Sequence, residues 1–268
     1  MKFGMPTLIE YRDIGEHVSA AHARGLDFIE INLSFPKYHS HTLPADALNG
    51  YRAQDGVFFT FHVDEQLNPF DFDERVSAAY FRVMRDDIRL ALAVRAPVIN
   101  MHLQTGVYVT LTGGKVYLTD VYRDEYLSRV RAFIAMCEEE IGAAPLRICI
   151  ENTDNCPFTA AERAAIELFM ASPVFALTMD TGHECCLGRQ NMDIYRTYAE
   201  RRIHMHLHDS DGRRAHLALG DGILPVGELL REPPPPPETC LIEVKTVEGL
   251  DRSIAYLKQN NLWKEAEI

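Results

Sequence analysis

Eight short runs of β-forming residues, separated by stretches that read as helix, are spread along the whole chain, and this alternation restricts the fold more than any other feature. The runs are Phe3–Met5, Phe28–Ile31, Phe58–His62, Val98–His102, Leu146–Glu151, Phe175–Asp180, Ile203–Leu207 and Cys240–Val244. Their centres are apolar, as expected of parallel strands covered on both faces. Helical patterns lie between them. Ile14–Arg24 stops at Gly25, Asp73–Val94 is long and amphipathic, and Tyr122–Ile141 stops at Gly142. A fourth pattern opens at Thr159 with Glu162 three positions on, a capping-box spacing, and a fifth covers Asp193–Glu200. A doubly wound sheet uses the same elements but gathers its site at one switch point. Here polar residues follow at least five different strands, which is how a closed ring builds a site. The sequence therefore predicts a single (β/α)8 TIM barrel over residues 1–268.

Composition narrows the partners. A formal charge of -12, from 39 acidic and 27 basic residues, repels a nucleic-acid backbone and favours small neutral or cationic substrates. Met1-Lys2-Phe3-Gly4-Met5-Pro6 holds no apolar leader core, and no apolar run approaches the roughly 20 residues that span a bilayer, so a cytoplasmic location without membrane association is expected. Homo-oligomerisation is compatible with the sequence. The 6 cysteines include no C-x-x-C pair. Cys137, Cys149 and Cys240 read as packing residues; Cys185-Cys186 follows His183 closely, but adjacent cysteines do not easily grip one metal together, and an inert buried thiol is the commoner state. Pro233–Pro237 reads as a stiff surface spacer before the last strand.

The chemistry sits at the strand ends. His62 closes the third run, His102 the fourth and Glu151 the fifth; Asp180 and His183 follow the sixth, His206 lies in the seventh and Glu243 in the eighth. In a barrel these point toward one axis. Imidazole and carboxylate suit zinc, manganese or cobalt, and there is no thiolate cluster for iron and sulfur. A carboxylate inside Leu241-Ile242-Glu243-Val244 is costly unless paired or bound to a metal. His204, His206 and His208 share one face of an ideal strand; His206 is expected at the best depth, with His208 and Asp209 nearer the rim.

Together, Ile150-Glu151-Asn152-Thr153, Met179-Asp180-Thr181-Gly182-His183, Met205-His206-Leu207-His208-Asp209-Ser210, His216-Leu217-Ala218-Leu219-Gly220-Asp221-Gly222 and Ile242-Glu243-Val244 resemble the xylose-isomerase-like barrel superfamily. Its members include sugar isomerases and epimerases and apurinic endonucleases of the endonuclease IV type. The resemblance runs from Phe3 to Val244. It implies a four-ligand metal site of Glu151, Asp180, His206 and Glu243. The endonuclease-like pattern adds a neighbouring site of His62, His102 and Glu151, and a third to which His183 and His216 contribute. The carboxylate of that third site normally stands two residues before the histidine, where this chain has Arg214, a group that repels cations. Epimerases place a substrate-holding arginine after the strand-seven ligand, which Arg213 or Arg214 would supply. They also carry a second glutamate after the strand-five ligand, where this chain reads Cys156-Pro157-Phe158.

The function these features imply is metal-assisted isomerisation or epimerisation of a small polyhydroxylated carbonyl compound. Glu151 and Glu243 would move the proton, and His183 and an arginine would steer the oxygens. The alternative enzyme is a metal-dependent phosphodiesterase or apurinic endonuclease-like hydrolase; a nonenzymatic binding barrel with a closed structural metal is the remaining class.

Overall fold

The computed structural model describes residues 1–153, 156–231 and 235–263. Ten strands occur among them: β1 (Lys2–Pro6), β2 (Phe28–Asn32), β3 (Phe58–His62), β4 (Val98–His102), β5 (Tyr108–Leu111), β6 (Gly114–Tyr117), β7 (Arg147–Glu151), β8 (Phe175–Asp180), β9 (Arg202–Leu207) and β10 (Thr239–Ile242). Eight of these close a barrel in the order β1-β10-β9-β8-β7-β4-β3-β2, with every pairing parallel. They are the eight expected runs, with ends shifted by a residue or two. The antiparallel β5–β6 hairpin stands apart and was not expected. It turns at Thr112-Gly113, between two stretches rich in β-branched and tyrosyl side chains.

The helices form where local signals place them. Helix α1 (Ile14–Arg24) starts at Asp13, whose side chain accepts the Glu16 N–H, and ends at Gly25, which takes a left-handed φ of 69°. Helix α2 (Ala45–Asp55) follows Pro44, and α3 (Glu74–Ala93) starts on Asp73. A short turn of helix, α4 (Leu118–Val121), leads into α5 (Arg123–Ile141). Helix α6 (Ala160–Ala171) begins on the expected capping box, in which Thr159 and Glu162 satisfy each other's backbone N–H. Beyond it lie α7 (Thr181–Cys186), α8 (Met192–Thr197), α9 (Val226–Leu229) and α10 (Val247–Gln259).

Phe133, Phe169 and Phe175 are fully buried between α5, α6 and β8, with the Phe169 and Phe175 rings 4.7 Å apart. Each such ring contributes about 1.5–3 kcal/mol when removed from water. Cys137, Cys149 and Cys240 are buried as well, and burial pushes their thiols up, Cys240 to about 12. Of the proline run, Pro233 and Pro234 lie outside the described residues. The Pro235 carbonyl accepts 2.7 Å from the Arg202 guanidinium, which ties the approach to β10 onto the start of β9. Among the described residues, no helix is long and apolar enough to cross a membrane.

Candidate functional site

Parallel strands send their C-terminal ends to one side of the ring, so His62, His102, Glu151 and Asp180, the last residues of β3, β4, β7 and β8, arrive at the same mouth. Glu243 follows β10 directly, its N–H bonded to the Leu207 carbonyl at 3.0 Å. At the centre, Glu151, Asp180, His206 and Glu243 each offer one ligand atom, and these atoms lie within 4.8 Å of one another. Nδ1 of His206 is 3.0 Å from Oε1 of Glu151 and 3.1 Å from Oε2 of Glu243. Neither contact has hydrogen-bond geometry, and all three atoms are buried without a hydrogen-bond partner. Buried polar atoms that converge yet remain unsatisfied are costly, and a cation between them would satisfy all three. The donor set, three carboxylates and one imidazole, suits a divalent ion.

The clustered carboxylates draw positive charge to this point. Burial disfavours the charged forms of Glu151 and Glu243, but His206 acting with His102 on the first and with Lys245 and His216 on the second holds both carboxyls well below the usual range. Against the same burial, Glu151, Glu30 and Glu243 hold His206 well above its ordinary value. Asp180 is also lowered, with burial opposing and His183 and His208 prevailing.

Glu151 serves two neighbourhoods. Its Oε1 faces His206, while Oε2 lies 3.4 Å from Nε2 of His62 and 3.3 Å from Nε2 of His102 and accepts the Asn100 side-chain amide. One ligand atom each from His62, His102 and Glu151 also fall within 4.8 Å of one another. Glu151 overcomes the burial of His62 and raises it to about 9.

His183, His208 and His216 form a third group within the same limit. His208 does not sit at the rim: it is fully buried. Its Nδ1 accepts the His216 backbone N–H at 2.7 Å, and its Nε2 donates to Oδ2 of Asp180 at 2.9 Å. With both nitrogens engaged, His208 is a strut that aims Asp180. Alternation along β9 set the face of His208 but not its depth, because the segment that returns through the Asp209–Leu217 bridge lays His216 against it, with ring centroids 4.1 Å apart. Asp209 is buried too, and its carboxylate accepts the backbone N–H groups of Ser210, Gly220, Gly222 and Leu224. His216 holds a left-handed φ of 57°, which turns its N–H toward His208. Burial lowers its imidazole to about 4.

The structure does not bring Arg213 or Arg214 to the mouth. Both are exposed, and the Arg214 guanidinium folds back onto Asp211 at 2.8 Å. The Arg213 and Arg214 N–H groups also bind the Asp211 carboxylate, so this turn closes on itself outside the pocket. The cation that does line the mouth is Lys245, with Nζ 2.8 Å from Oε1 of Glu243. Cys185 and Cys186 lie outside the mouth lining, and Cys186 meets Ser210 at 3.3 Å.

Sequence reasoning missed the layer beneath the site. Glu30, buried in β2, places Oε1 2.9 Å from Nε2 of His206 and Oε2 3.0 Å from Nε2 of His204. Thr60 donates to the same carboxylate at 2.9 Å, and Nδ1 of His204 meets the Thr239 hydroxyl at 2.6 Å. A buried histidine and a carboxylate beneath His206 fix its ring, the arrangement that tunes metal-binding imidazoles. Asn152 does the same for Asp180, accepting its N–H at 2.9 Å and donating to its carbonyl at 3.1 Å.

A family model described as xylose isomerase-like TIM barrel matches residues 18–232. Among solved structures, a D-tagatose 3-epimerase-like protein is 22% identical with a TM-score of 0.73, each chain being covered over 98% of its length. An E. coli 3-keto-D-glucoside 4-epimerase in its apo form is 15% identical with a TM-score of 0.75, over 97% of this chain and 99% of that one. A Thermus thermophilus protein soaked with zinc chloride is 18% identical with a TM-score of 0.69, over 97% of each chain. No match was found among curated protein sequences.

Proposed function

This chain belongs to the xylose isomerase-like TIM-barrel family, and we propose that it is a divalent-metal-dependent isomerase or epimerase of a small sugar or polyol-derived carbonyl compound. The observation that carries this reading is the central group of Glu151, Asp180, His206 and Glu243, whose facing atoms Glu151 Oε1, His206 Nδ1 and Glu243 Oε2 are buried and unsatisfied. The sugar epimerases among the structural neighbours support the substrate class. A zinc, manganese or cobalt ion held by these side chains would polarise the carbonyl and neighbouring hydroxyl oxygens of the substrate.

The chain's own groups divide the remaining work. Glu151 and Glu243 face each other across His206, and each keeps an ionised carboxylate able to take a proton from the carbon beside the carbonyl and return it. His183 lines the cavity, its Nδ1 held 3.1 Å from the Asn152 carbonyl, so its Nε2 is directed at a substrate oxygen. Gln66, Gln104 and Thr153 supply neutral hydrogen-bonding groups suited to hydroxyls. Lys245 takes the place at the mouth that the sequence had offered to Arg213 or Arg214. Proton NMR in D2O, run with metal-replete protein on a ketose and inosose panel, should show solvent exchange beside the carbonyl; no exchange across the panel would overturn the assignment.

Phosphoester hydrolysis is the second reading, favoured by the His62, His102 and Glu151 group beside the central one. Counting ions per chain by native mass spectrometry separates the two readings. Three tightly held zinc ions would favour the hydrolase.

A further inference from the structure

Beside the barrel mouth lies a separate cavity of about 380 Å³, enclosed by the β2–α2 connection, the β3–α3 connection and one face of α3. Its apolar wall consists of Leu33, Leu67, Val83 and the Tyr80 ring. Three carboxylates, Asp64, Asp86 and Asp87, and the polar segment His39-Ser40-His41 complete the lining. The turn from Asp64 to Leu67 divides the two cavities: Asp64 and Leu67 line this one, whereas Glu65 and Gln66 line the mouth. None of the groups given a part in catalysis or metal binding borders it.

Asp87 is the group out of place. It follows Tyr80 and Val83 at helical spacing and falls in line with Met84 and Ala91, both fully buried, so the sequence sets a carboxylate on the inward stripe of α3. Asp87 is 2% exposed, and its Oδ2 has no hydrogen-bond partner. Burial pushes the carboxyl up to about 7 against the pull of Ser40, and the charges of Asp86 and Asp64 add to the rise. Arg89 stands 3.6 Å from Asp86, but both side chains are more than half exposed and Arg89 is shared with Glu140. Among the described residues, no cationic side chain lies within ion-pair distance of Asp87. A carboxylate buried in this way is costly until a partner arrives, and the neighbouring charges select a cation.

A metal ion is the poorer fit. Among the described residues, every set of three or more donors close enough to share one ion lies in the mouth or beneath it, and none contains Asp87. A primary ammonium ion has three N–H donors, and its hydrogen bonds, roughly 2.7–2.9 Å long, reach carboxylates that stand farther apart. An apolar body attached to it would cover the aliphatic wall. That wall is fixed in advance: the Ser77 hydroxyl donates to the Pro69 carbonyl at 2.7 Å, the Asp64 carboxylate accepts the Gln66 N–H at 2.8 Å, and the Thr42 hydroxyl donates to the His39 carbonyl at 2.8 Å. A site organised before binding loses little entropy when it is filled, and this one falls within the usual size of small-molecule sites, roughly 300–1,000 Å³. We propose that this cavity binds a primary ammonium ion carried on a short apolar body, with the ammonium on Asp87 and the body against Leu33, Leu67 and Val83. The site does not depend on the reaction proposed for the mouth.

The test compares 2-phenylethylammonium with 2-phenylethanol, which differ only in the charged group, by calorimetry at pH 8 on the full chain with manganese present to occupy the mouth carboxylates. The ammonium compound should bind with a Kd of about 1 mM or lower, and at least tenfold more tightly than the alcohol. Asp87→Asn should weaken its binding at least tenfold, although removing a buried charge makes that variant no less stable at this pH. Val83→Lys carries the same test at a position 43% exposed, where the substitution leaves the fold intact and sets an ammonium of the protein's own against the cavity. It too should weaken binding at least tenfold. Equal binding of the two compounds by the wild-type protein, binding of neither, or wild-type affinity in either variant would overturn the proposal.

Discussion

Oε1 of Glu30 lies 2.9 Å from Nε2 of His206, so the imidazole at the centre of the site is ion-paired from below with a carboxylate of β2, three places around the barrel from β9. Burial alone would keep Glu30 protonated, but His206 and His204 hold its carboxyl below the usual range. The pair orients His206 with Nδ1 toward Glu151 and Glu243. Glu30→Gln should therefore weaken manganese or zinc binding by about 10–100-fold, the usual cost of losing a supporting carboxylate, while leaving the circular dichroism spectrum unchanged. Unchanged affinity by competition with a fluorescent chelator would show that Glu30 does not orient the ligand.

Glu243 carries two demands at once: Oε1 is held by Lys245 and Oε2 faces His206. Glu243→Gln keeps the size and removes the charge. Weaker metal retention and loss of turnover are expected, with far less change in secondary structure. If excess metal restores full occupancy and proton exchange stays absent, Glu243 is needed for proton transfer as well as for binding. Recovery of wild-type turnover at restored occupancy would leave it a ligand only.

Gly182 leaves room for His208. A Cβ built there would meet the imidazole at 2.1 Å, far inside contact distance. Gly182→Ala should push His208 away from Asp180 and cost about 1–3 kcal/mol, the range for overpacking a filled interior. Adding His208→Ala to that variant removes the clash, so urea denaturation should show the double variant to be less destabilised than the two single costs combined. Simple additivity would mean that the two residues do not interact.

Asp87 is 2% exposed, and its Oδ2 has no hydrogen-bond partner. Burial raises it to about 7, with Ser40 opposing. Below the unfolded value, near 3.9, both states hold the proton and Asp87 costs nothing. Between that value and about 7 only the folded state keeps it, so stability falls as pH rises, and the penalty is complete above about 7. Asp87→Asn should accordingly raise Tm at pH 8, by the equivalent of up to about 4 kcal/mol, with the gain vanishing near pH 4. A gain independent of pH would contradict this account.

Arg214 is spent on Asp211 at the surface, and exposed pairs of this kind contribute about 0–1 kcal/mol. Arg213→Ala and Arg214→Ala should each leave kcat/KM within about twofold of wild type while Lys245→Ala lowers it markedly. A large loss from either arginine would show that the turn swings over the mouth during turnover.

The barrel was legible because its strands are short, mostly apolar runs, several of which end in a polar residue, and α1 and α6 announce themselves through Asp13, Gly25 and the Thr159–Glu162 pair. The β5–β6 hairpin escaped because its strands are exposed and pack against no continuous apolar core, so burial patterning gives no signal there. Glu30 should have been found, since Phe28-Ile29-Glu30-Ile31 shows the same carboxylate in an apolar run that singled out Glu243. The depth of His208 and the outward turn of Arg213 and Arg214 depend on the path of the chain after β9, which is set by Asp209 collecting backbone N–H groups up to Leu224. No periodicity encodes that.

The seam between β1 and β10 joins the beginning of the chain to its end, with Lys2 paired to Thr239. Until a ribosome has released that last strand, the nascent polypeptide can assemble a curved parallel sheet but not a ring. The Glu30–His204 contact spans 174 residues of sequence, and Glu243 emerges only after the closing strand. Capture of a cation by all four central side chains would thus be a late event in biogenesis, one that reports a closed ring. A fragment ending before residue 239 would leave β9, the strand of His206, as an open edge and would lack Glu243, so a bound ion and the closing strand would stabilise each other's arrival.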